Sequence, residues 1–279
     1  MDSPRPSPEP ERRAGAFPER GRVPTYRLVV EYDGSAFHGL QFQPDLRTVA
    51  GSLEAALSRL FHEPVKITAA GRTDAGVHAT GQVVSFAAAR DFPIERLVLA
   101  INGTTPSDLV VRDAQVVLDG FSARFDALER AYDYLILNRG FPSAVWRARA
   151  WHVARPIDDA RFLAAAEPLL GEHDFVTFCG EAPERGTTVR EVRAIELVRH
   201  GDLLRVTVRG NAFLHRMVRV LVGTLVGCAT GYRDVDFARR ALEARDRAAA
   251  GATAPAHGLY LAGVRYAGFD SYRPVMLAP

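Results

Sequence analysis

The order in which apolar periodicity changes along this chain constrains its fold more than any other feature. Leu28, Val29, Val30 and Tyr32 mark a first strand, and Val49, Leu53, Ala56, Leu57, Leu60 and Phe61 then recur at helical spacing. Val65 to Ala69 and Val83 to Ala87 read as two further strands. Pro93 opens a helix through Leu97 and Ile101, and Leu109 to Val117 reads as a fourth strand. That is the order of the split β-α-β-β-α-β motif. The order then recurs. Tyr132, Tyr134 and Ile136 alternate as a strand, and Asp158 is placed to cap a helix from Phe162 to Leu170. Val192 to Val198 and Leu203 to Val208 read as a hairpin turned at His200-Gly201-Asp202. A long helix is expected over Phe213 to about Ala229, another, capped by Asp234, over Val235 to about Ala248, and Leu261 to Tyr266 closes as a strand. The expected fold class is α+β, with one ferredoxin-like half over residues 25–125 and another over 126–279. Together they would form a mixed sheet with a pseudo-two-fold axis and a central cleft.

Composition narrows the setting. The 279 residues are enough to bury a substantial core, and apolar and charged fractions of 47% and 24% are ordinary for a globular protein. The most apolar stretch, near Val218 to Val226, is interrupted by Arg219, Gly223 and Thr224, so no membrane span is expected. No apolar signal core stands at the N-terminus, and Cys179 and Cys228 lack metal-ligand spacing; a cytoplasmic protein with reduced thiols and no zinc site is the expectation. Pro4, Pro6, Pro8, Pro10, Pro18 and Pro24 make residues 1–24 an expected disordered extension. The net charge is only +2, so any nucleic-acid surface must concentrate its cations on one face. Nearly all of the positive charge is arginine, which suits bidentate phosphate contacts, and Lys66 is the only lysine.

The stretch Ala70-Gly71-Arg72-Thr73-Asp74-Ala75-Gly76-Val77-His78-Ala79-Thr80-Gly81-Gln82 carries the chemistry. Its three glycines suggest a tightly turning backbone, and the strand that follows would hold it stiffly. Asp74 inside that turn has two readings from local pattern: a cap on its own turn, or a reactive carboxylate in a fixed position.

Gly71-Arg72-Thr73-Asp74-Ala75-Gly76-Val77-His78 closely resembles the signature of the TruA family of tRNA pseudouridine synthases, and further matches follow in order from about Tyr26 to about Tyr266. The resemblance implies an extended, mainly antiparallel sheet and makes Asp74 the catalytic residue. It implies that Arg72 steadies the flipped-out nucleotide while holding the acid ionised. In Arg130-Ala131-Tyr132-Asp133-Tyr134 it implies that Tyr132 stacks on the target uracil; a base–aromatic stack is worth about 1–3 kcal/mol. The segment Asn211-Ala212-Phe213-Leu214-His215-Arg216-Met217-Val218-Arg219 resembles a second family motif, in which Arg219 pairs with the catalytic aspartate. In His257-Gly258-Leu259-Tyr260-Leu261, Leu259 would line the uracil pocket. Arg124, in Phe121-Ser122-Ala123-Arg124-Phe125, joins Arg130 and Arg216 as expected RNA contacts, and His78 and His215 read as structural or RNA-facing. The chain departs from the family pattern at Ala131 and Asp133, often basic, which would weaken local phosphate attraction, and at Leu40, often Trp, which would alter a packing contact.

The implied activity is isomerisation of uridine to pseudouridine at positions 38, 39 and 40 in the anticodon stem-loop of tRNA, by a homodimer using no cofactor and no catalytic metal. Two rivals have different requirements. A non-catalytic RNA-binding protein with two ferredoxin-like halves needs Asp74 only as an exposed turn cap. A hydrolase or metal-dependent nuclease needs further carboxylates converging on Asp74, and no acidic cluster adjoins the motif.

Overall fold

A computed structural model describes residues 23–181 and 186–277. Of the expected N-terminal extension, residues 1–22 lie outside this range. The first β-α-β-β-α-β run appears as β1 (Thr25–Tyr32), α1 (Val49–Phe61), β2 (Thr68–Ala69), β3 (His78–Ala87), α2 (Ile94–Asn102) and β4 (Leu109–Val117). The second run is longer. It comprises β5 (Glu129–Asn138), β6 (Trp151–Val153), α3 (Asp159–Ala166), β7 (Gly171–Asp174), β8 (Val189–His200), β9 (Leu203–Gly210), α4 (Met217–Ala229), α5 (Phe237–Ala244), β10 (Leu259–Tyr266) and β11 (Phe269–Asp270).

All eleven strands among the described residues belong to one mixed, mostly antiparallel sheet with the path β4-β1-β3-β10-β5-β9-β8-β7; β2 pairs with β3, β6 with β5, and β11 with β10. The two runs join where β3 meets β10, a parallel pairing of only Tyr260 with His78 and Leu261 with Ala79. That seam lies immediately after the Asp74 loop and beside Leu259, so the loops of both runs converge above it. The main core gathers Leu53 and Leu57 of α1, Leu97 of α2, Phe162 of α3 and Leu221 of α4 against Tyr134 and Ile136 of β5. Burying one such leucine contributes about 1.5–3 kcal/mol. Strand alternation sends Leu135 and Leu137 to the other face, where they form a smaller cluster with Leu203, Tyr260 and Leu277.

Local chemistry explains most element ends. Thr48 caps α1 by accepting the Gly51 N–H, and Asp158 caps α3 by accepting the Arg161 N–H. Several expectations change, among them the strand expected over Val65 to Ala69, of which only Thr68–Ala69 pairs. The helix expected from Phe213 starts only at Met217, because Arg216 adopts a left-handed conformation at φ 59°. The N-cap position of α5 is Asp236 and not Asp234, whose carboxylate accepts from Arg240 Nη2 at 2.7 Å, and α5 spans only Phe237–Ala244. The turning stretch is also shorter than its glycines suggest. Gly76 does turn, at φ 78°, but Gly81 lies inside β3, where a Cβ would sit 2.3 Å from Ala262 O of β10. That glycine serves close strand approach, not a turn.

Candidate active site

The Asp74 loop is fastened from several directions. Gln82 Nε2 donates to Gly71 O at 2.8 Å, Leu40 N–H donates to Thr73 O at 3.0 Å, and the Thr73 hydroxyl meets Tyr32 Oη at 2.8 Å. Burial pushes the Tyr32 hydroxyl up to about 12, so it stays neutral in this contact. Leu40, where the family often has Trp, is buried and lines the same cleft. His78 anchors the loop's far end. Its ring is buried and stacks on Tyr260, with centroids 4.6 Å apart. Nδ1 accepts the Gly34 N–H at 3.0 Å, while Nε2 lies 3.1 Å from Ala148 O and 3.2 Å from His257 O. With carbonyls on one side and an N–H on the other, the neutral tautomer carries its proton on Nε2. Burial holds the His78 pKa below the ordinary histidine value although Asp33 Oδ1, 3.2 Å away, opposes the shift. His78 is therefore a structural residue.

Asp74 does not cap its own turn. Its carboxylate reaches across to the second run: Arg219 Nη1 donates to Oδ2 at 2.7 Å, Arg216 Nε lies 4.0 Å from Oδ2, and His215 Nε2 lies 3.6 Å from Oδ1. Arg219, in the first turn of α4, is itself held by Nε donating to Ala254 O at 2.8 Å. One carboxylate oxygen is thus fixed by a short charge-assisted bond, and among the described residues the other accepts no hydrogen bond and has His215 beside it. Arg216 is left-handed, at φ 59°, where the chain turns into α4, and His215 and Arg216 on that turn both approach Asp74.

The cleft has a volume of about 1190 Å³ and is lined by Asp74, Tyr132, Leu259 and residues of both runs. Among the described residues, six arginines (Arg72, Arg124, Arg130, Arg190, Arg216 and Arg219) line it against three carboxylates (Glu54, Asp74 and Glu181), so the cleft favours a polyanion. Tyr132 packs edge-on against Phe213, centroids 5.2 Å apart, and presents only 7% of its surface. Burial raises its hydroxyl pKa, so it too stays neutral. Leu259 is 6% exposed at the cleft floor, in register with Tyr134. Arg124 is exposed at the rim, its guanidinium 5.4 Å from the Phe125 ring.

Three expectations about individual residues are revised. Arg72 is exposed in the cleft and makes no hydrogen bond or ion pair among the described residues, so the cation on Asp74 is Arg219 and not Arg72. Arg130 does not present its guanidinium to a ligand: all five N–H groups go to backbone carbonyls, those of Ala70, Arg124, Ala127 and Asn211. Asp133 does not weaken an RNA surface. It is fully buried on the other face of β5, accepting from the Thr207 hydroxyl at 2.7 Å and from Val275 N–H at 2.8 Å, and so pins the C-terminal segment to the sheet. Burial raises its pKa despite those donors. His215, read as structural or RNA-facing, stands beside the acid. Phe42, Glu181 and Arg190, which no motif marks, also line the cleft.

The class of protein is settled by similarity over most of the chain. Residues 28–126 and 165–267 match the family described as tRNA pseudouridine synthase, and the chain belongs to that family of isomerases. Its relatives carry a more particular name. It is 44% identical to tRNA pseudouridine synthase A of Caulobacter sp. (strain K31) over 247 residues, covering 88% of this chain and 99% of that one. It is 40% identical to tRNA pseudouridine synthase A of Pectobacterium atrosepticum over 266 residues, covering 95% and 94%. The corresponding protein of Coxiella burnetii is 41% identical over 240 residues, covering 86% and 92%.

Proposed function

We propose that this chain isomerises uridine to pseudouridine in the anticodon stem-loop of tRNA, at positions 38, 39 and 40, with the Asp74 carboxylate as its nucleophile or base. In this reaction the N1–C1′ bond of the uridine breaks, the uracil turns, a C5–C1′ bond forms, and the C5 proton is lost while N1 gains one. No electron is gained or lost overall. The chemistry needs an extruded base, one group that attacks or takes a proton, and a site that retains the detached uracil.

The observation that carries the reading is the division of labour on one carboxylate. Asp74 lines the cleft with Oδ2 held by Arg219 at 2.7 Å, while Oδ1 accepts no hydrogen bond among the described residues and has His215 Nε2 3.6 Å away. Arg72 at the rim steadies the flipped nucleotide, Tyr132 stacks on the uracil, and Leu259 closes the pocket. Arg124 and Arg216 meet the phosphates of the stem-loop, which is read by shape more than by base sequence. The units are a ferredoxin-like half over residues 25–125, which brings Asp74, and another over 126–279, which brings Tyr132, Arg219 and Leu259. They work in a cytoplasmic homodimer whose tRNA crosses both subunits. A non-catalytic RNA-binding role is disfavoured because Asp74 is only 27% exposed and spends its carboxylate on the opposite half.

The test is Asp74→Asn assayed for tritium release from tRNA labelled at uridine C5. A folded variant that binds tRNA and releases no tritium is the expected result. Undiminished release from the folded variant would remove Asp74 from the chemistry.

A further inference from the structure

Resting on that reading of the cleft, we propose that Arg130 is a positioning residue for the reaction: it sets the placement of the Asp74 loop against the segment that delivers Arg219, and it does not itself hold RNA. A guanidinium has five N–H groups. In Arg130, Nε and Nη2 lie 3.2 and 3.1 Å from Ala70 O, and Nη2 also lies 2.6 Å from Arg124 O. Nη1 lies 3.0 Å from Ala127 O and 2.8 Å from Asn211 O. The fork is saturated, so no N–H remains for a phosphate.

The four carbonyls belong to three segments. Ala70 stands four residues before Asp74, Asn211 opens the turn that carries His215 and Arg216 into α4, and Arg124 and Ala127 lie on the connection between the two runs. One side chain on β5, two residues before Tyr132, therefore holds both walls of the cleft in register. Among the described residues no carboxylate pairs with Arg130; carbonyl dipoles alone meet its charge, and burial lowers its pKa from the ordinary arginine value. Lysine cannot replace it, because a point charge with three donors does not span three segments in the fixed plane of a guanidinium. A displacement of about 1 Å between reacting groups costs on the order of 100-fold in rate, so the loss falls on the chemical step.

The experiment compares the full chain with Arg130→Lys, using single-turnover tritium release from C5-labelled tRNA at saturating enzyme, together with tRNA affinity across a potassium chloride series. Release by the parent protein checks the functional reading separately; a parent that releases nothing defeats that reading and not this one alone. The expected result for Arg130→Lys is a rate constant lower by about 30- to 100-fold, with affinity within about threefold and an unchanged salt slope. A weaker affinity with the salt slope reduced by about 1, at an unchanged saturating rate, would make Arg130 a phosphate ligand and overturn the proposal. A lowered melting midpoint with an unchanged rate well below that midpoint would make it structural only, and would overturn it equally. Arg130→Gln, which offers two donors and no charge, is measured in the same way if Arg130→Lys does not fold.

Discussion

Replacing Arg219 by methionine tests the central claim most directly. Methionine keeps much of the stem's volume but removes the short bond to Asp74 Oδ2 and the bond from Nε to Ala254 O. With charge centres about 4 Å apart and an effective dielectric of about 20, the gross attraction is roughly 4 kcal/mol. The site is only partly dry, with side-chain exposures of 27% for Asp74 and 14% for Arg219, so solvent takes part of that. A net loss of about 2–3 kcal/mol in the placement of the carboxylate corresponds to roughly 30- to 150-fold in rate. Tritium release at saturating tRNA should fall by that factor while tRNA affinity changes little, because Arg219 faces the acid and not the rim. Arg216→Met is the internal comparison. Arg216 Nε lies 4.0 Å from Asp74 and its side chain is 50% exposed, so its loss should cost less than about fivefold in the saturating rate. If Arg219→Met, shown to be folded by circular dichroism, turns over within threefold of the parent, or if both variants lose the same factor, the reasoning from distance and burial is wrong.

Other outcomes follow from the same geometry. Gly34→Ala would place a Cβ 1.9 Å from the backbone oxygen of Val77, so the loop behind Asp74 must move; a stability loss of about 1–3 kcal/mol with a lower saturating rate is expected in urea unfolding and turnover assays. If the Tyr132 ring and not its neutral hydroxyl meets the base, as proposed, Tyr132→Phe should keep most activity, whereas Tyr132→Ala should lose about 1–3 kcal/mol, roughly 5- to 150-fold in kcat/KM. His78 should make stability fall in mild acid. Its folded pKa lies below the unfolded value of about 6.5, so its contribution is fully present above that value and is lost as pH falls through the lowered folded pKa. Melting midpoints taken from pH 8 to pH 5 should decline less steeply for His78→Asn than for the parent; equal slopes would show that His78 titrates alike in the folded and unfolded chain.

The parts of the fold that could be read in advance are those decided by local periodicity and local caps. β4 runs over the expected Leu109–Val117, and Asp158 caps α3 through its own neighbours. The start of α4 could not be read that way. Phe213 and Met217 keep helical spacing, but the backbone between them is redirected at Arg216, whose side chain lies against Gly180 while Gly180 N–H donates to His215 O at 2.8 Å. That is a tertiary contact with no mark in the segment's own sequence, and the approach of His215 to Asp74 follows from it. The pairing of Arg219 with Asp74 was expected through family resemblance, because 145 residues separate the two and no local pattern links them. Arg130 shows the limit from the other side. Its partners are main-chain carbonyls, which every residue type carries, so residue identities along the chain could not disclose that its donors are spent.

Lys66, the only lysine of the chain, has a consequence of a different kind. Its side chain is 76% exposed, its ammonium bonds to Glu54 at 2.7 Å, and it lies 5.0 Å from the ring of Phe42; Glu54 and Phe42 both line the cleft. An acylating reagent that reaches side-chain amines therefore finds one lysine, beside two residues that line the cleft. A fluorophore attached there would report occupancy of the cleft by its own quenching, without touching any of the arginines that hold the acid in place.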